Sequence, residues 1–166
     1  MVILVMGTTG AGKTTVGRLL AARLGWNFLD ADDFHPQANI EKMKHGIPLT
    51  DADRVPWLAN IHSRLLQLNS EAKNAVLACS ALKQAYRETL SAGLDFRMVY
   101  LRGTYEQMRR HILSRHGHFA GEAILAGQFA DLEEPQNALA LNVTDSPESL
   151  VDQAILRLGL LQEPQT

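Results

Sequence analysis

Apolar positions along this chain keep two rhythms that alternate from end to end. Residues 2–6, Val-Ile-Leu-Val-Met, form an unbroken apolar run stopped by Gly7, the pattern of a strand buried on both faces. Over 14–24 the apolar residues Val16, Leu19, Leu20 and Leu24 fall at helical spacing, and Gly25 ends the pattern. Residues 26–29 predict a second strand that delivers Asp30 at its end. A short helix opens at Pro36, runs through Ile40 and Met43, and closes at Gly46. A longer one, capped by Thr50 or Asp51, carries Trp57, Leu58, Ile61, Leu65 and Leu68. Runs at 75–79, 96–101 and 139–143 predict three more strands, with helices over 83–90, 104–113, 122–132 and 147–158. Strands separated by helices call for an α/β fold: a mainly parallel five-stranded sheet with helices on both faces.

Composition narrows this picture without redirecting it. The chain has 166 residues, 46% of them hydrophobic, and a formal charge of -2, which predicts one domain over 1–166 with a substantial core. The mild acidic balance gives no reason to expect a nucleic-acid partner. No stretch reaches the roughly 18 apolar residues of a membrane span, so no membrane partner is expected. The single cysteine, Cys79, excludes an internal disulfide framework, and its apolar setting predicts a buried inert thiol in a reducing cytoplasm.

Chemistry enters at GTTGAGKT, residues 7–14. Gly7, four residues, Gly12, Lys13 and Thr14 make the full P-loop pattern, between a predicted strand and a predicted helix. In such a loop the backbone N–H groups of Gly7, Thr8, Thr9, Gly10, Ala11, Gly12, Lys13, Thr14 and Thr15 are candidates to surround phosphate oxygens. Lys13 reaches toward the β and γ phosphates and Thr14 offers a hydroxyl to Mg²⁺. The pattern predicts a P-loop NTPase fold without separating a GTPase from a kinase.

Three features favour a small-molecule kinase. A guanine-reading N-K-x-D is missing, the third strand ends in Ser80 rather than an aspartate, and a basic, glycine-rich segment at about 115–121, RHGHFAG, follows a helix in the manner of a small lid. The acidic role then shifts to FLDADDFHP at 28–36, where Asp30, Asp32 and Asp33 crowd together. Ligands gather at the carboxyl ends of parallel strands, so Asp30 is expected beside the P-loop as a magnesium residue. Asp32, two residues on, is expected to engage the hydroxyl that attacks the γ phosphate. Asp33 stays outside this set as a capping or solvated acid. His35 is a candidate to orient the loop or meet the substrate. Arg54, Lys83 and Arg87 are three positive residues from two places that can converge on an anion such as a carboxylate.

With these residues in place, the chain resembles the small bacterial and eukaryotic gluconokinases, which are shikimate-kinase-like P-loop kinases. The resemblance runs from Val2 to the final helix. It rests on GTTGAGKT at 7–14, LDADDFHPQANIEKMKHGIPLTDADRVPWL at 29–58, CSALKQAYRE at 79–88, and GHF, QF and LEEP within 117–135. The second segment is the most specific. The resemblance implies ATP- and Mg²⁺-dependent phosphorylation of the 6-hydroxyl of D-gluconate, by a homodimer. Carried over by position, Lys13 and Thr14 look like phosphate and magnesium residues, and Asp32 like the acid at the accepting hydroxyl. Arg54, Lys83 and Arg87 look like substrate-side charges, and Arg115 or His118 like lid residues. Two positions depart from the usual pattern: Asp33 in the acidic loop, and His116 where a lysine is frequent. A kinase for shikimate or another small hydroxy acid keeps the same P-loop and Asp32, and a non-catalytic nucleotide-binding protein is the rival from another class.

Overall fold

In the computed structural model, residues 1–116 and 120–160 are described, the side chains of 115, 116 and 120 excepted. Chain order is β1 (Val2–Met6), α1 (Lys13–Leu24), β2 (Asn27–Asp30), a 3₁₀ turn (Ala31–Phe34), α2 (Gln37–Lys44), α3 (Asp51–Ser70), β3 (Ala75–Ala78), α4 (Gln84–Ser91), β4 (Phe96–Arg102), α5 (Tyr105–His116), α6 (Ala120–Asp131), β5 (Leu139–Asn142) and α7 (Pro147–Arg157). Every strand predicted from the apolar runs is present, with ends shifted by a residue or so. The 3₁₀ turn is the element that periodicity did not reveal, because four residues are too few to show a period.

All five strands run parallel in the order β2-β3-β1-β4-β5. Side chains on a strand alternate between faces, and β1 divides two cores accordingly. Ile3 and Val5 join Val16, Leu20, Val99, Leu101, Met108 and Leu125 on one face. Val2, Leu4 and Met6 join Trp57, Ile61, Leu65, Leu77 and Leu90 on the other. Burial on both faces explains why the first strand reads as a continuous apolar run. No described helix is long and apolar enough to cross a membrane.

Asp30 is expected beside the P-loop and is found there, although β2 lies at the sheet edge and β3 intervenes between it and β1. Contact is made instead through the first turn of α1, which leans across the end of β3 and brings Thr14 to Asp30.

Candidate active site

The loop after β1 is shaped to leave donors unfilled. Gly12 caps α1 in the left-handed region, at φ 86°, with no side-chain cap bond, and the first turn holds no acid. An α-helix starts with about four unpaired N–H groups; here the sequence supplies neither cap nor carboxylate to satisfy them, so the positive end of the helix faces the cleft bare. Gly10, at φ 83°, sits so close to α5 that a Cβ would come within 2.9 Å of the Met108 carbonyl oxygen. Lys13 folds back over the loop and its Nζ donates to the Thr8 carbonyl at 2.9 Å. Loss of solvent pulls the Lys13 pKa below its ordinary value, opposed by Cys79, Asp32 and Asp30 nearby. The buried Thr8 hydroxyl has no hydrogen-bond partner among the described residues.

Gly10, Gly12, Lys13 and Thr14 line a cleft of about 420 Å³ together with Asp30, Asp32, Cys79, Ser80 and Gln128. Thr14 Oγ1 donates to Asp30 Oδ2 at 2.9 Å, so a hydroxyl and a carboxylate stand side by side at the helix start. The other oxygen of Asp30 accepts from the Asp32 N–H at 3.1 Å and fixes the 3₁₀ turn. Asp32 has its pKa raised, first by lost solvation and then by Asp30, against the opposing pull of His35 and Lys13. Cys79 has its pKa pushed up to about 12 by burial and remains a thiol at neutral pH.

A second group of charges lies beyond the cleft. His35 stacks on Trp57 with ring centroids 4.7 Å apart, while Trp57 Nε1 donates to the Ala31 carbonyl at 2.7 Å. Burial lowers the His35 pKa, Asp32 opposes this, and Arg54 adds to it. Both groups lie near enough to His35 to act on its charge. Arg54 in turn donates to the Tyr86 hydroxyl at 3.4 Å and approaches Asp51 at 3.7 Å. Lys83 Nζ bonds both Asp51 oxygens, at 3.0 and 3.1 Å, and the Tyr86 hydroxyl donates to the same carboxylate. Asp51 thus joins the starts of α3 and α4.

The structure therefore brings together Lys13, Thr14, Asp30 and Asp32, and links Arg54 and Lys83 through Asp51, with His35 stacked on Trp57 near Arg54 and Asp32. Arg87 is not part of either. It is buried, and its Nη1 donates to the Ala81 and Leu82 carbonyls, both at 2.9 Å. Ala81 has a positive φ of 44°, which costs a non-glycine residue of order 1 kcal/mol; Arg87 stabilises that turn at the end of β3. The expectations for the Arg115 side chain and for His118 lie outside the described residues.

Sequence reasoning missed Asp51, Tyr86, Asn39 and Gln128. Asn39 is buried, donates to the Asp53 carbonyl at 2.9 Å and stands 3.4 Å from His35 Nδ1, so it braces the histidine loop against α3. Its place in the HP..NIEKM segment was the available signal. Asp51 and Tyr86 also lie within the segments that carry the resemblance, at 29–58 and 79–88, but an exposed acid at a helix start and a tyrosine in a helix read as ordinary surface residues.

Comparison with known proteins agrees with this geometry. The family model described as shikimate kinase matches residues 9–118. A probable gluconokinase from Xenopus tropicalis is 44% identical over 151 residues, covering 81% of this chain and 80% of that one. A gluconokinase from Gluconobacter oxydans is 46% identical over 134 residues, covering 80% of this chain and 75% of that one. The crystal structure of a gluconokinase from Sinorhizobium meliloti superimposes with a TM-score of 0.85 at 37% identity, over 95% of this chain and 91% of that one.

Proposed function

Because the chain belongs to the gluconokinase family of shikimate-kinase-like small P-loop kinases, we propose that it transfers the γ-phosphoryl group of ATP to the 6-hydroxyl of D-gluconate, yielding 6-phospho-D-gluconate and ADP. The observation that carries the reading is that unfilled phosphate donors and a carboxylate with a raised pKa line one cleft. In this account the P-loop amides and Lys13 hold the phosphates and stabilise the charge that develops on them during transfer. Asp32 accepts the proton of the 6-hydroxyl as that oxygen bonds to phosphorus and the bond from phosphorus to the β–γ bridging oxygen breaks. Its raised pKa makes it a better base than an ordinary exposed aspartate.

Hard oxygen donors suit magnesium, and the paired Thr14 hydroxyl and Asp30 carboxylate fit that requirement. When bound with the nucleotide, the ion supplies charge neutralisation on the phosphates, and these two residues would hold it. Gluconate carries its carboxylate at the opposite end of a six-carbon chain from the reacting hydroxyl. That suits an arrangement in which Asp32 lines the cleft while Arg54 and Lys83 meet at Asp51 outside its lining. Asp51 pairs with both cations, but its single negative charge leaves one positive charge over, which the acceptor carboxylate balances when it binds. Family membership also supports a homodimer, which light scattering tests.

The experiment is a panel of acceptors with ATP and Mg²⁺, read as ADP release. D-gluconate should give turnover well above shikimate, glucose and other sugar acids. Preferential turnover of shikimate would replace the acceptor while keeping the kinase.

A further inference from the structure

One P-loop donor already has an acceptor, and it comes from the far side of the fold. The Thr9 N–H donates to Gln128 Oε1 at 2.6 Å, across 119 residues of sequence. Gln128 lies on α6 and lines the same cleft as Lys13, Thr14 and Asp32. Its delivery is structural. Leu125, one turn earlier, is fully buried in the core that packs beneath the P-loop. Glu122 on α6 accepts from Arg109 Nε on α5 at 2.9 Å, and Phe129 meets Tyr105 edge to face at 5.5 Å. The helix α5 is itself pressed on the loop, with His111 Nδ1 donating to the Gly10 carbonyl at 3.0 Å. The carboxamide therefore reaches Thr9 from a supported helix.

Only the oxygen of a carboxamide can accept from an N–H, so the Thr9 bond leaves the Nε2 group as two free donors. That group has no hydrogen-bond partner among the described residues. A neutral carboxamide can satisfy the loop when no anion is there and then donate to the anion that takes its place. A carboxylate can do only the first, and an ammonium only the second.

We propose that Gln128 is a phosphate-side residue of the nucleotide site: it holds the Thr9 amide in the bare protein and yields it to a phosphate oxygen, to which its own Nε2–H then donates. The inference rests on the nucleotide reading given above and is independent of the acceptor's identity. Its test is direct calorimetric titration of the full chain with MgATP, without any acceptor, for wild type, Gln128→Glu and Gln128→Lys. The two variants have similar size and opposite charge. Glu should weaken ATP binding about ten-fold or more, since a charge-assisted hydrogen bond is lost and repulsion added. Lys should bind ATP at least as tightly as wild type does. Equal effects of both variants, in either direction, would overturn the proposal and leave Gln128 as a packing residue. Should Glu fail to fold, as thermal melting would reveal, Gln128→Met takes its place, with a loss of a few-fold that Lys does not share. A wild-type chain that binds no ATP would overturn the nucleotide reading itself, an outcome distinct from equal binding by all variants.

Discussion

On the phosphate side, α1 begins at Gly12 with no side-chain cap and no acid in its first turn. On the acceptor side, α3 begins with a complete capping box, in which Thr50 and Asp53 satisfy each other's backbone N–H groups. Asp53 also takes both of its short ion-pair contacts from Lys42, at 2.8 Å each, and these hold its pKa down at about 2. Next to it, Asp51 gathers Lys83, Arg54 and Tyr86. The start of α1 is thus incomplete by itself, whereas the start of α3 is capped by its own residues and its Asp51 already holds two cations. An incomplete donor array binds an anion by completing it, so its contribution is to affinity. Two cations held by one carboxylate keep a net positive charge in a fixed arrangement that favours an anion fitting its spacing, so its contribution is to selectivity.

The most severe way to break the phosphate half is Lys13→Ala, which should lower kcat/KM by about 10²–10³-fold with any acceptor. Asp32→Asn should come next, with kcat down by about 10²-fold or more and ATP still bound in a calorimetric titration. The same variant has a stability signature. A folded-state pKa above the unfolded one penalises the native state at neutral pH, and the penalty disappears as pH falls below the unfolded pKa. Asp32→Asn should therefore melt no lower than wild type at pH 7, whereas a residue holding the fold together would melt lower. In wild type, kcat/KM should fall on the acid side at a pH above that of an ordinary aspartate, because the protonated Asp32 cannot accept the hydroxyl's proton.

Smaller effects sharpen the acceptor half. Lys83→Met should raise the KM for gluconate roughly ten-fold, the worth of one charge-assisted contact, and change the KM for ATP little. Equal changes in both constants would place Lys83 with the nucleotide instead. Arg87→Met should act the other way round: a stability loss of about 1–3 kcal/mol, measured by denaturant unfolding, from the Ala81 carbonyl left unpaired while the Leu82 carbonyl keeps the Glu133 N–H, with the gluconate KM nearly unchanged. A large KM effect without loss of stability would return Arg87 to the acceptor site.

These contrasts also mark what could be read from the sequence. The P-loop is legible because its chemistry is local: one strand end, one helix start and the six residues between them decide it. The strand order was less so, since a one-dimensional alternation does not say that β3 inserts between β1 and β2. Arg87 shows the limit for single charges. Its sequence position suited a substrate cation, but the positive φ of Ala81, six residues earlier, claims its guanidinium for backbone carbonyls. Asp51 and Tyr86, 35 residues apart, and Thr9 and Gln128, 119 apart, meet only through tertiary packing. All four lie in segments that carry the family resemblance, yet a linear pattern does not say which of them meet.

The central claim is that both halves serve one transfer, from ATP to the 6-hydroxyl of gluconate. It is tested most directly by incubating the protein with ATP, Mg²⁺, D-gluconate, NADP⁺ and 6-phosphogluconate dehydrogenase, and following NADPH. The account predicts NADPH formation that requires both ATP and gluconate and is lost in Asp32→Asn. No NADPH from a folded, ATP-binding protein, with the coupling enzyme responding to added 6-phosphogluconate, would contradict it.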